Sequence, residues 1–262
     1  MPKKAAGRKV GLARALSKLG YCSRSQAAEL IRAGRTRLNG KVQRDPETPV
    51  LLGRDRIDID GRLVEAEQKV YLMMNKPRGV VTTASDEKGR DTVYAVLHAA
   101  GQSLPWVAPV GRLDRASEGL LLLTNDSEWG ARVAAPDTHL EKTYHVQIGT
   151  VADETFIQAL VRGVRDDHEL LRAKQARVLR SGEKNCWLEI VLDEGKNRQI
   201  RRMLNALDVE VLRLIRVAVG PLQLGKLAKG SYRPLNAREK AVLDQAMGMK
   251  TRNLPTGNHH HE

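Results

Sequence analysis

Asp114 is the residue around which this chain could organise chemistry, because it lies between two arginines in a short polar loop. The loop Gly111-Arg112-Leu113-Asp114-Arg115 leads into the apolar run Gly119-Leu120-Leu121-Leu122-Leu123-Thr124. An unbroken apolar run of this length is typical of a strand buried on both faces. A polar loop that leads straight into such a strand can hold its carboxylate in a fixed place. The alternative is an exposed turn with a surface Asp–Arg pair, which contributes little.

The whole stretch from Gly111 to Asp126, GRLDRASEGLLLLTND, resembles the catalytic motif of bacterial ribosomal RNA pseudouridine synthases. The branch is the one that modifies single sites in small- and large-subunit rRNA. The resemblance implies that Asp114 is the catalytic nucleophile. Ser117 and Ser127 stand where family members often carry Thr and Gly, and both departures are conservative enough to leave the role of Asp114 intact.

A second segment, Asn75-Lys76-Pro77-Arg78-Gly79, resembles the turn-forming KPxG segment of the same family. Pro and Gly in this spacing favour a tight turn. The resemblance implies that Lys76 and Arg78 contact RNA phosphates, and Arg112 in the first motif is expected to bind the substrate as well.

Two further segments follow in the order expected for the family. Residues 141–146, EKTYHV, resemble the segment whose tyrosine lies against the target base, so Tyr144 is expected in the active site. Without the resemblance, a core aromatic residue that packs across strands is an equal interpretation. Residues 194–203, EGKNRQIRRM, resemble the third motif, in which we expect Arg201 to be the partner of the catalytic carboxylate and Arg198 to be the substitute candidate.

The reaction implied by the resemblance breaks the glycosidic bond of uridine, rotates the base and rejoins it through carbon. No redox step or group carrier takes part, so we expect no cofactor and no metal. A nearby guanidinium favours an ionised carboxylate, which is the role expected of Arg201 towards Asp114. The nucleophile can attack either the anomeric carbon of the sugar or carbon six of the base. The resemblance favours the sugar, by way of a glycal.

The basic charge of the chain is concentrated at the N-terminus. The net charge is +13, and residues 1–44 hold five Lys and seven Arg against one acid, Glu29. Residues 23–26 have a capping-box pattern that opens a second helix, and Asn39-Gly40 and Asp60-Gly61 favour type I′ hairpins. CSRSQAAELIRAGRTRLNG resembles the alpha-L RNA-binding module. Its implied RNA contacts are Ser23, Arg24, Arg32, Arg35, Arg37, Asn39 and Lys41, and the alternative is a solvated basic face.

Hydrophobic periodicity predicts the elements that must position these residues. The fold implied by the resemblance is α+β, with a mixed, mainly antiparallel central sheet flanked by helices and with the active cleft across its middle. We predict a basic tail at 1–8, the alpha-L domain at 9–64, a polar linker at 65–69, the catalytic domain at 70–247 and a disordered tail at 248–262.

Composition excludes several other classes of protein. No run of 18 apolar residues is present, so we expect no membrane span. Cys22 and Cys186 form no CxxC pair, which suits a reducing cytoplasm. The N-terminus lacks the apolar region of a secretory signal. The histidines 259–261 are either a tag remnant or a native tail, and we do not count them as a metal site.

The expected partner is ribosomal RNA, either a stem-loop or an assembly intermediate, and we expect a monomer. The run Ser117-Glu118-Gly119-Leu120 favours a large-subunit target over a small-subunit one. The rival from another class is a non-catalytic rRNA-binding or ribosome-assembly protein, but such a protein would be expected to lose Asp114, Tyr144 or Arg201.

Overall fold

The computed structural model describes residues 9–83, 89–99, 101, 104–166 and 169–248. The chain divides into two units, one of residues 1–131 with 227–234 and one of residues 132–226 with 235–262. The predicted basic tail at 1–8 and all of the predicted disordered tail except Gly248 lie outside the described residues. Among the described residues, no helix combines the length and the apolar composition that a membrane crossing needs.

The first unit begins with two helices and short strands around one small core. The elements are β1 Val10–Gly11, α1 Leu12–Lys18, α2 Arg24–Arg32, β2 Thr36–Leu38, β3 Lys41–Gln43, β4 Pro49–Val50, β5 Ile57–Ile59 and β6 Arg62–Leu63. Strands β3, β2, β5 and β6 form an antiparallel sheet in that order, and β1 pairs with β4. Leu12, Leu16, Ala27 and Ile31 fill the core beneath the sheet, so the two helices are held by their apolar faces.

The predicted caps and turns of this region are confirmed. Ser23 Oγ accepts from the backbone N–H of Gln26, whose side chain accepts from the N–H of Ser23. Asn39 and Asp60 both have φ of 50°, and the glycine after each also has positive φ. These are the paired positive angles of a type I′ turn, which explains why an Asn-Gly or Asp-Gly pair stands at each hairpin.

The rest of the first unit surrounds one fully buried strand. Its elements are β7 Tyr71–Lys76, α3 Val93–Ala99, β8 Ala108–Val110, β9 Glu118–Thr124 and α4 Ser127–Ala134. Strand β9 pairs antiparallel with both β7 and β8, and every residue of β9 is buried. The strand buried on both faces that the sequence predicts is therefore confirmed.

Asp126, which follows β9, forms hydrogen bonds with residues before β7, in β7 and in α4. Its carboxylate accepts from Lys69 Nζ at 2.7 Å, from the Tyr71 hydroxyl at 2.9 Å and from the Trp129 N–H at 3.2 Å. Burial alone would raise the pKa of Asp126, but these hydrogen bonds outweigh it and hold the pKa below its usual value. Asp126 therefore caps the first turn of α4.

The second unit contains a five-stranded antiparallel sheet covered by helices. The elements that follow α4 are β10 Lys142–Ile148, α5 Glu154–Arg162, β11 Val164–Arg165, β12 Leu170–Leu171, β13 Gln175–Ser181, β14 Cys186–Leu192, α6 Gln199–Asn205, β15 Val211–Val219, β16 Leu222–Gln223, β17 Tyr232–Pro234 and α7 Ala237–Ala246. The strand order is β13, β14, β10, β15, with β16 beside β15. Strand β17 belongs to the first unit, where it pairs with β7.

The core of the second unit lies between this sheet and helices α5 and α6. Val146, Leu188, Ile190 and Leu204 are among its buried members. The predicted α+β class with a mainly antiparallel sheet is confirmed. Both predicted domains contribute residues to the first unit, and the predicted domain limits stay a prediction.

Candidate active site

The Asp114 loop of the first unit is fixed by hydrogen bonds from the turn that follows β7. Gly79 N–H donates to the Arg115 carbonyl at 2.8 Å, and the Thr82 hydroxyl donates to the Leu113 carbonyl at 2.8 Å. Within the loop, Ser117 N–H donates to the Asp114 carbonyl at 2.9 Å. The first two segments singled out in the sequence therefore form one rigid frame, on which the half-buried side chain of Asp114 is carried.

Lys76 is the centre of this frame. Its side chain has no exposed surface, and its ammonium donates to the carbonyls of Pro77 at 3.1 Å, Asp114 at 3.2 Å and Ser117 at 2.9 Å. An ammonium has three donors, and all three are used inside the protein. This geometry contradicts the prediction that Lys76 contacts RNA phosphates, because the side chain braces the loop from within and never reaches solvent.

The charge of Lys76 is balanced by neighbouring acids. Burial lowers the pKa of Lys76 to about 8, while the negative charges of Asp114 and Glu118 act in the opposite direction. Glu118 is itself buried and forms an ion pair with Lys229. The loop that carries Asp114 therefore rests on a compact set of buried charges. Sequence reasoning missed this role, although a lysine at the end of the apolar run Leu72-Met73-Met74 was its signal.

The predicted RNA contacts at the N-terminus fall into two groups. Three are already used within the protein: Ser23 is buried and caps α2, Arg35 forms an ion pair with Asp60, and the Asn39 amide bonds to Asp55 and to the Arg56 N–H. Four cations are exposed and have no ion-pair partner within the described part of the chain; they are Arg24, Arg32, Arg37 and Lys41. Arg78 and Arg112 are also exposed, next to the Asp114 loop. All of these RNA contacts stay predictions.

Tyr144 lies on β10 of the second unit, between two neighbouring strands. It pairs with Ile190 of β14 and with Arg216 of β15, and it is half-buried against the core of that unit. Arg216 is buried, and an arginine is rarely buried unless it is paired. Sequence reasoning missed Arg216, although its position inside the apolar strand Val211–Val219 was a signal.

Helix α6 carries the two predicted arginines of the third motif. Ile200, Met203 and Leu204 are buried as predicted, and this face fixes the rotation of the helix. Arg201 follows Ile200 and is half-buried, whereas Arg198 is the exposed N-cap residue with φ of 48°.

A polar network holds the start of α6. Gln199 is buried and its amide donates to Glu194 at 3.0 Å and to the Arg172 carbonyl at 3.1 Å. Arg202 pairs with Asp166 at 2.5 Å and with Glu169 at 2.8 Å. These bonds position the turn from which Arg198 and Arg201 extend.

Asp114 thus belongs to the first unit, whereas Tyr144, Arg198 and Arg201 belong to the second. The pairing of Asp114 with Arg201 stays a prediction. Within the described ranges, no group of three or more His, Cys, Asp or Glu side chains is arranged to hold a metal ion.

Comparison with known proteins places these segments in a family. Residues 70–206 match the family model of RNA pseudouridylate synthases, and residues 10–57 match that of the S4 domain. An uncharacterized RNA pseudouridine synthase of Aquifex aeolicus is 36% identical over 90% of this chain and 94% of its own length. The ribosomal large subunit pseudouridine synthase B of Bacillus subtilis is 35% identical over 87% of this chain and 93% of its own length. A crystal structure of a pseudouridylate synthase matches with a TM-score of 0.59 and 29% identity, covering 90% of this chain and 99% of that chain.

The depressed pKa of Lys76 predicts how stability depends on pH. Between about 8 and the ordinary value of 10.5, the unfolded chain binds this proton and the folded chain does not, so folding stability from this group rises with pH. Across that range, the stability of the wild type relative to Lys76→Met should rise by a quantity on the order of 3 kcal/mol. Urea unfolding at a series of pH values measures it.

The matched control for this experiment is Arg78→Met, which removes an exposed cation two residues away. Its stability should run parallel to that of the wild type from pH 8 to pH 10.5. A Lys76→Met variant that also runs parallel to the wild type would show that the buried ammonium does not titrate as described.

Proposed function

The chain belongs to the RNA pseudouridylate synthase family and carries an S4 domain, and on that premise we propose that Asp114 is the nucleophile that isomerises one uridine of large-subunit ribosomal RNA. The family membership makes the protein an isomerase-type enzyme that modifies uridine in RNA. The observation that carries the assignment of Asp114 is its loop, which Lys76 and the Gly79 turn hold from within. A carboxylate on such a frame stays in place while the base moves.

The chemistry requires one bond to break and another to form at the same sugar carbon. The bond from C1′ to N1 breaks, the uracil rotates, C5 bonds to C1′, and the proton on C5 leaves while N1 gains one. An ionised carboxylate can assist at the sugar during this exchange and be regenerated at the end. We propose that Asp114 acts at the sugar and not at carbon six of the base, which is the route that the family resemblance favours.

Tyr144 and Arg201 are proposed to support the carboxylate from the second unit. A uridine must leave its stack before it can react, which costs a few kcal/mol, and stacking on an aromatic ring offsets part of that cost. The half-buried ring of Tyr144 suits this role. A guanidinium favours the ionised form of a carboxylate, so Arg201, on a helix fixed by its buried face, is the proposed partner of Asp114.

The proposed target is the large ribosomal subunit. The relative from Bacillus subtilis, named as a large-subunit enzyme, aligns along 87% of this chain. The exposed cations of the S4 domain suit binding to RNA phosphates. Mapping of pseudouridines in both ribosomal RNAs from a deletion strain tests the choice, since a site lost from small-subunit rRNA would contradict it.

Asp114→Asn should abolish pseudouridine formation while RNA affinity stays within a few-fold, because the amide keeps the shape of the side chain and loses its nucleophilicity. The measurement is tritium release from rRNA labelled at C5 of uridine. The matched control is Asp137→Asn, an exposed aspartate of the second unit, which should keep full activity. Turnover above background in Asp114→Asn would contradict the assignment of Asp114 as the nucleophile.

Arg201→Met should move the acidic limb of the single-turnover pH–rate profile upwards by about one to three pH units, because the carboxylate loses the cation that favours its ionised form. Arg201→Lys should restore only part of the rate, since an ammonium lacks the two-pronged geometry of the guanidinium. Arg198→Met, on the exposed residue three positions earlier, is the control and should leave the limb in place. If Arg198→Met moves the limb and Arg201→Met does not, the role passes to Arg198.

Removal of two exposed S4 cations should weaken RNA binding and reduce its salt dependence. In Arg32→Gln/Arg37→Gln, the slope of log affinity against log salt should fall by between roughly one and two units, since each phosphate contact contributes about 0.7 to 0.9. The control is Arg162→Gln/Arg165→Gln, which removes two exposed cations of the second unit. Equal slopes in both double variants would contradict a dedicated S4 contact surface.

A further inference from the structure

A groove of about 520 Å³ lies between helix α2 and the segment that precedes β8, both in the first unit. It is lined by Tyr21, Cys22, Gln26, Glu29, Leu30, Ala33, Arg35 and Trp106. Gln26, Glu29, Leu30 and Ala33 have the spacing of one helix face, so one side of α2 forms a continuous wall. The volume lies within the range of small-molecule sites in proteins.

The chemistry of the walls suits a flat aromatic ligand. Tyr21 is 44% exposed, and Trp106 is half-buried, so each presents ring surface that the protein core does not cover. Leu30 adds an apolar side chain to the lining. Aromatic side chains with open faces are the platforms on which unpaired nucleic-acid bases stack, largely without regard to sequence.

The groove also carries polar groups suited to the edge of a base. The Gln26 side-chain oxygen accepts from the Ser23 N–H at 3.1 Å, which leaves its amide donors directed away from that bond. Glu29 supplies a carboxylate, and Arg35 is held in place by Asp60. Burial raises the pKa of Cys22 to about 11, so the thiol is neutral and acts as an apolar wall.

The position of the groove identifies the class of ligand. Seven of the eight lining residues come from residues 1–44, which carry a net charge of +11. The exposed cations Arg32 and Arg37 lie close to the groove in sequence, one at the end of α2 and one in β2. A field of this sign concentrates polyanions such as RNA, whereas a neutral metabolite or an uncharged peptide gains nothing from it.

We infer that the groove binds an unpaired nucleotide of the RNA substrate, with its base against Tyr21 and Trp106 and its phosphates towards the S4 cations. This inference deepens the proposed function, since it rests on RNA as the ligand. It adds a site, separate from Asp114 and Tyr144, that distinguishes single-stranded from paired RNA. A duplex has no free base face to offer, so only phosphate contacts remain to it.

The test compares the binding of two probes to the full-length protein by fluorescence anisotropy. The probes are a labelled single-stranded hexauridylate and a labelled 12-base-pair RNA duplex. Tyr21→Leu and Trp106→Leu should each weaken binding of the single strand by roughly 5- to 100-fold, the loss typical of one stacked base, and should change duplex binding less than two-fold. Tyr21→Phe keeps the ring and should bind like the wild type.

The controls separate stacking from stability and from catalysis. Leu63→Ala removes an exposed apolar side chain elsewhere in the first unit and should leave both affinities unchanged. Tyr21 is exposed, so its variants test the groove even if Trp106→Leu fails to fold. Equal losses on both probes, or no loss on either, would overturn the inference. The assay involves no turnover, so it fails independently of the result for Asp114→Asn.

Discussion

A lysine ammonium without access to water is the interaction on which the catalytic half of the first unit depends. Lys76 ends β7 opposite Gly119 of β9, so its side chain extends beneath the loop that connects β8 to β9. A buried cation is tolerated only when its donors are satisfied, and here the acceptors are backbone carbonyls of the loop itself. The loop therefore has one conformation in which its carbonyls accept the hydrogen bonds of Lys76. That conformation determines the position of Asp114.

The second unit is also held by a buried polar side chain, but there the side chain is neutral. Gln199 is the buried polar group there, and its amide joins the turn before α6 to the Arg172 carbonyl. Ion pairs of Arg202 with Asp166 and Glu169 reinforce the same turn. In both units a buried polar side chain, held by groups distant in sequence, fixes the segment that carries a residue proposed to act in catalysis. Networks of this kind are costly to break in part, because every unsatisfied member stays buried.

Local patterns predicted the regular elements of this fold but not its long-range polar contacts. The apolar run of β9, the capped helix α2 and both hairpins follow from periodicity, capping and turn chemistry. The burial of Lys76 and Arg216 does not, because a long charged side chain is buried only where tertiary partners exist. Strand β17 was missed for a related reason. Tyr232–Pro234 becomes a strand by pairing with β7, which precedes it by more than 150 residues, and three residues carry no period of their own.

The S4 domain shows why net charge alone does not explain the selection of one uridine. Ser23, Arg35 and Asn39 serve its own caps, ion pairs and turns, so four of its predicted RNA contacts are left as exposed cations. Phosphate contacts of this kind bind any RNA and carry no sequence information. Discrimination has to come from groups that recognise an unstacked base, which is exposed only where the RNA is unpaired. In this chain, the open rings of Tyr21 and Trp106 and the half-buried ring of Tyr144 are suited to that task. An RNA target with one unpaired base for the groove and a second unpaired base for the catalytic centre would occupy both protein sites at once. A continuous duplex would occupy neither, because it has no free base to offer.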